Sequence, residues 1–205
     1  MRGFPHNSRG VTLVELVVAI GIFALLSLGA AEIIIIGFRS NAAIWEHLEV
    51  QRDARRAVQQ VVNVVRQAET SSVGAYPVAG AGANELIVYS NIDNNGYRER
   101  VRFFLDGTTL KKGIITPSGS PLVYETATET ITDVANNVTN VSLGTPIFSY
   151  YNSVYTGTEA AMAQPVVVGD VRIISVRLIL DKNPNVLPGA YDVESFAQIR
   201  NLKLN

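Results

Sequence analysis

The chain has 205 residues, of which 47% are hydrophobic, enough for one ordinary domain plus an additional element; this excludes a disordered polymer. A formal net charge of −1 supplies no bulk field for nucleic acid or acidic lipid, so any such contact must be local. The absence of cysteine excludes disulfides, thiolate catalysis and Cys-rich zinc sites.

Residues 1–10 are polar and carry Arg2 and Arg9, and Val11 to Phe38 is then apolar except at Thr12, Glu15, Ser27 and Glu32. At about 1.5 Å per residue such a helix spans roughly 40 Å, enough to cross a bilayer. Two arginines before the span keep the N-terminus cytoplasmic and send the remainder outward. A second reading places conventional signal cleavage near Ala30 and Ala31. The apolar run continues through Ile33–Phe38, however, and cleavage there would discard an element that the sequence goes on elaborating.

Glu15 is the informative oddity, because a carboxylate inside an apolar helix is costly and signals function. Two readings of it are open. If the chain is cut after Gly10, the new α-amine of Val11 lies one turn from Glu15, in the same or a neighbouring chain, and each neutralises the other. Alternatively, Glu15 snorkels to the headgroups from the helix end.

The run Arg9-Gly10-Val11-Thr12-Leu13-Val14-Glu15-Leu16 resembles the processing motif of type IV pilins, type II secretion pseudopilins and competence pilins. The resemblance implies that Gly10 ends a leader and that Val11 becomes the N-terminus, N-methylated by the prepilin peptidase. It also implies that Glu15 directs filament assembly. Partners would be that peptidase, other pilin or pseudopilin subunits, the inner-membrane assembly platform and, before assembly, membrane lipid. The implied location is the inner membrane, with an extracytoplasmic C-terminal domain, and later a periplasmic or surface filament. Val11 stands where such motifs usually carry Phe, and Glu32 where many major pilins carry Pro.

From Ser40 to Ala68 there is no Gly or Pro, and Ile44, Leu48, Val58, Val61, Val62 and Val65 recur at three- and four-residue intervals. This predicts an amphipathic continuation of the same helix, with a polar face of mixed sign. Taken from Thr12 to Glu69, the helix would measure roughly 87 Å. Residues 70–84, rich in Ser, Gly, Ala and Pro, read as a linker loop. Strand signals follow at Glu85–Ser90, Arg98–Leu105, Val171–Leu180 and Asp192–Arg200, with shorter ones at Ser120–Tyr124, Val138–Leu143 and Ile147–Tyr151. Ile174, Val176, Leu178 and Leu180 share one parity and suit packing on the helix.

The expected fold class is therefore α+β, the pilin fold: a long N-terminal helix, transmembrane and then amphipathic, packed against a C-terminal antiparallel β-sheet domain. The boundaries are a leader at 1–10, helix halves at 11–38 and 39–69, the linker at 70–84 and the β-rich domain at 85–205. Leu86-Ile87-Val88-Tyr89, Val101 to Gly107, Val176-Arg177-Leu178 and Ile199-Arg200-Asn201 further resemble the J-type minor pseudopilins.

Catalytic signatures are missing from the sequence. His6 would leave with the leader, so His47 alone cannot build a triad, and no nucleophile elbow, phosphate loop, dinucleotide fingerprint or zincin motif occurs. The expectation is a structural subunit, not an enzyme, without cofactor, and its runner-up is a competence-type minor pilin that binds DNA or another ligand. Asn91 to Gly96 alternates oxygen ligands as a calcium loop does, with Asp93, Asn95 and Glu99 as donors, but Asn95-Gly96 reads equally as a hairpin turn. Arg98, Arg100 and Arg102 project from one strand face and could meet DNA phosphates, or form a solvated face that discourages sheet aggregation.

Overall fold

The computed structural model describes residue 10, residues 12–184, residue 187 and residues 189–202. The one α-helix among the described residues, α1, runs over Leu13–Arg66, and the chain divides into two compact units, residues 1–46 and 47–205.

In the first unit the described chain is almost wholly α1. The stretch Leu13–Phe38 is long and apolar enough to cross a membrane, and none of it is buried. Phe23, for example, is 72% exposed. An apolar helix with every side of it bare is stable in lipid, where the backbone satisfies its own polar groups. The Ser27 hydroxyl follows the same rule by donating to the Phe23 carbonyl at 2.8 Å. The helix passes Glu32 without a break.

The second unit holds the rest of α1 and two antiparallel sheets. β1 (Val78–Ala81), β2 (Glu85–Ser90), β3 (Glu99–Asp106), β4 (Thr109–Ile115) and β5 (Thr130–Ala135) pair in sequence order. β6 (Phe148–Tyr151), β7 (Ile173–Leu180) and β8 (Tyr191–Gln198) form the second sheet, also in order. Ala54, Ala57, Val58, Val61 and Val65 of α1 share one core with Leu86, Val88, Val101 and Phe103 of the first sheet and with Ile174, Val176, Leu178 and Leu180 of β7. The parity expected for β7 is the one that faces this core, and the α+β class is the one observed.

Several local expectations are corrected. α1 ends at Arg66 rather than Glu69, because Ala68 bridges Ser90 and the Glu69 N–H donates to the Tyr89 carbonyl, drawing the chain into sheet pairing. The Ala68 carbonyl left over at the helix end accepts from Asn201 Nδ2 at 3.1 Å. The expected 70–84 linker contains β1. Ser120–Tyr124 makes one bridge, Ser118 to Val123, and no strand.

Val138–Leu143 is not a strand either. Its Asn140 is fully buried, donates from Nδ2 to the Arg177 carbonyl at 2.9 Å and accepts the Ile179 N–H at 2.8 Å. One amide thus imitates a strand along β7. The two sheets are joined at the β1–β2 turn, where the Ile147 and Phe148 N–H groups donate to the Ala83 carbonyl and the buried Tyr150 hydroxyl donates to the Gly82 carbonyl.

Candidate processing and assembly segment

α1 begins in a capping box. The Glu15 N–H donates to Thr12 Oγ1 at 3.3 Å, while Glu15 Oε2 accepts both the Thr12 N–H and the Thr12 hydroxyl at 2.9 Å. This reciprocal Thr-x-x-Glu arrangement satisfies helix N-terminal donors that lipid could not. The signal was legible as Thr12 three residues before Glu15 at the head of an apolar run, and reading Glu15 for its charge alone missed Thr12. Among the described residues Glu15 Oε1 accepts no hydrogen bond, so the carboxylate keeps room for a further donor.

Gly10 is exposed, and a Cβ built on it would meet nothing within 4 Å. The fold of this chain therefore does not demand glycine there. The same is true of Gly21, Gly29 and Gly37 inside α1. Each costs about 0.8–1.0 kcal/mol relative to Ala in a helix interior, with no contact inside the chain to offset it. Val11, the expected new N-terminus and methylation position, lies outside the described residues.

The other candidates fall in the second unit. Asp93 Oδ1 accepts the Asn95 N–H and its Oδ2 accepts Asn95 Nδ2, while Asn95 Oδ1 accepts the Tyr97 N–H. Asn94 and Gly96 take positive φ values of 57° and 92°, so this loop is a turn held by its own side chains. Glu99 is 1% exposed, on the inner sheet face, where Oε2 accepts the Ile92 N–H. The expected calcium donors thus serve two different environments. Among the described residues no cluster of three or more His, Asp or Glu side chains is placed to hold a metal.

Arg98, Arg100 and Arg102 lose their free charge in two places out of three. Arg98 pairs with Glu69 at 3.1 Å. Arg102 makes a two-pronged pair with Glu129, at 2.8 Å from Nε and 2.6 Å from Nη2, reaches Glu85 at 3.3 Å, and sits 3.7 Å over the Phe104 ring. Gly113, opposite Arg102 in β4, makes room for this: a Cβ there would lie 2.1 Å from Glu129 Oε1. The three arginines therefore form a neutralised sheet face in large part, which accounts for their spacing without a polyanion.

The Arg102 hydrogen bond holds the Glu129 carboxyl below its ordinary value of 4.5. A carboxylate depressed in the folded state contributes stability above its unfolded value and loses it as pH falls through the folded one. The thermal midpoint is accordingly expected to fall as pH drops below about 4.5, with a shallower fall in Glu129→Gln. Parallel acid profiles for the two proteins would remove this assignment.

Residues 5–31 match the prokaryotic N-terminal methylation motif. No curated protein matches the chain. The motif implies processing by a prepilin peptidase and assembly with pilins, and with the exposed apolar helix behind it, it marks a membrane-anchored precursor. In its N-terminal motif, its apolar helix and its α+β fold, the chain is similar to the prepilins.

Proposed function

We propose that this chain is a structural subunit, a minor pilin or pseudopilin, of a type IV pilus-like or type II secretion filament. The leader, residues 1–10, is removed after Gly10 on the cytoplasmic side, and Val11 becomes the N-methylated end. The span 11–38 stores the subunit in the inner membrane with the second unit outside, and assembly then moves the helix from lipid into a bundle of its own kind. Among pilin-like subfamilies, the J-type minor pseudopilins have the downstream pattern that this chain resembles.

The observation that carries the reading is the methylation motif set at the head of an apolar helical span of which nothing is buried. Gly21, Gly29 and Gly37 support it, because helix glycines without an internal reason are explained by another helix approaching closely. Glu15 supports it as well: a carboxylate with an open oxygen at the start of the span suits neutralisation by a neighbour's N-terminal amine.

The test is the intact mass of the membrane-extracted protein from cells containing a prepilin peptidase. A species beginning at Val11, with or without one added methyl group, is expected. Uncleaved protein would leave a plain membrane anchor, and cleavage near Ala31 would make the chain a conventionally secreted domain; either result removes the proposal.

A further inference from the structure

Arg172, the residue before β7, has a guanidinium that is fixed on one side and unused on the other. Its backbone is tied into the second sheet, the N–H donating to the Tyr151 carbonyl and the carbonyl accepting the Ile199 N–H. Nη1 donates to the Tyr76 hydroxyl at 2.9 Å and to the Gly169 and Val171 carbonyls at 2.8 and 3.0 Å. Nε is buried and finds no acceptor, and Nη2 on the same edge finds none among the described residues. Other arginines also lack an ion pair among the described residues, but Arg172 is the one that in addition holds a buried donor open. A donor shut away from water without an acceptor is costly, and on a cation the acceptor that suits it is an anion.

Arg172 lines a cavity of about 370 Å³ at one end of the second sheet, within the size range of small-ligand sites. Asn152 and Gln198 bring amides to its wall, and Tyr155, Ile173 and Leu202 bring a ring and two apolar side chains. Among the described residues Arg172 is the sole charged group there, so a singly charged anion balances it, whereas a phosphate group at about −1.5 to −2 would not. The Nε–Nη2 edge of a guanidinium matches a carboxylate through two parallel hydrogen bonds. The amides and apolar walls ask that the carboxylate be followed at once by hydrogen-bonding groups and a hydrophobic side chain. The C-terminal end of a polypeptide carries all three.

We propose that this cavity binds the C-terminal carboxylate of a partner polypeptide. The free edge of Arg172 takes the carboxylate, Asn152 and Gln198 take the preceding peptide groups, and Tyr155, Ile173 and Leu202 receive the last side chain. The Nη1 bonds hold the guanidinium in place before the ligand arrives, so little of its side-chain freedom is left to lose on binding. The inference does not depend on processing or filament assembly, so it stands or falls apart from the functional reading above.

The experiment is calorimetric titration of the full chain in detergent micelles with the tripeptide acetyl-Ala-Ala-Leu, compared with the same peptide ending in a carboxamide. Saturable one-to-one binding of the free acid is expected, with the carboxamide weaker by about tenfold or more, the scale of one charge-assisted hydrogen bond. Arg172→Lys keeps the charge without the two-pronged edge and should lose a similar factor. Gln198→Ala, at an exposed position, should lose about two- to tenfold, the scale of one neutral hydrogen bond. Circular dichroism and the thermal midpoint report whether each variant is folded, and the comparison of acid with carboxamide needs no variant. No saturation at millimolar peptide, equal binding of acid and carboxamide, or full binding by the folded Arg172→Lys protein would overturn the proposal. So would acetate binding as tightly as the tripeptide, which assigns the cavity to small acids, or displacement of the peptide by equimolar inorganic phosphate, which assigns it to phosphate.

Discussion

Glu15→Leu chains are expected to be processed before Val11 as the parent is, yet to remain in the membrane and fail to enter filaments. The physical reason is that leucine removes both things Glu15 provides. It removes the charge that a neighbour's amine would neutralise, and it removes the acceptor that closes the capping box on Thr12. Glu15→Gln separates the two, because glutamine retains the capping acceptor and lacks the charge. If the charge directs assembly, Glu15→Gln should fail as Glu15→Leu does, with the assembled fraction measured by shearing and sedimentation against the processed pool. Parent-like assembly of Glu15→Gln with failure of Glu15→Leu would reassign Glu15 to starting the helix. Normal assembly of both would remove it from the mechanism.

A second large effect is expected at Asn140, far from the membrane segment. Asn140→Ala leaves the buried Arg177 carbonyl and Ile179 N–H without partners. Each such group costs about 1–3 kcal/mol, so the pair should cost about 2–6 kcal/mol. For a chain of this size that lowers the thermal midpoint by roughly 4–24 °C. Asn136→Ala, exposed and four residues away, serves as the control and is expected within about 0.5 kcal/mol of the parent. A midpoint for Asn140→Ala within about 2 °C of the parent would show that β7 does not need this amide.

Asn140 also shows where reading the sequence stopped. Val138–Leu143 is rich in β-branched and apolar residues as a strand is, but its backbone pairs with β7 only at Val138 and Thr139 and the Asn140 side chain makes the next rungs, and a pattern of residue types does not say which atoms form the ladder. β4 gives no strand signal because Lys111-Lys112-Gly113 interrupts its alternation; the pair Arg102 and Glu129, lying over Gly113, explains why glycine stands in that strand. β5 gives none either, because it is an edge strand with most of its residues exposed, so burial imposes no period on it. In contrast, β2 was legible to its last residue, and β3, β6, β7 and β8 to within two residues at each end, because one face of each is committed to the core.

What the sequence determined alone is whatever depends on contiguous residues: the membrane-length apolar run, the helix that continues from it, the methylation motif and the α+β class. These follow from composition, from period and from a motif that is itself a short linear segment. The tertiary structure decided which charges are free. Arg98 and Arg102 share a sheet face as their spacing predicts, but Glu69, Glu85 and Glu129, each 17 to 29 residues from its partner in the chain, arrive to neutralise them. Arg66 and Arg200, unremarkable in sequence, are brought together beside two stacked rings. Electrostatic pairing acts over a few ångströms whatever the distance along the chain, and only folding sets those distances.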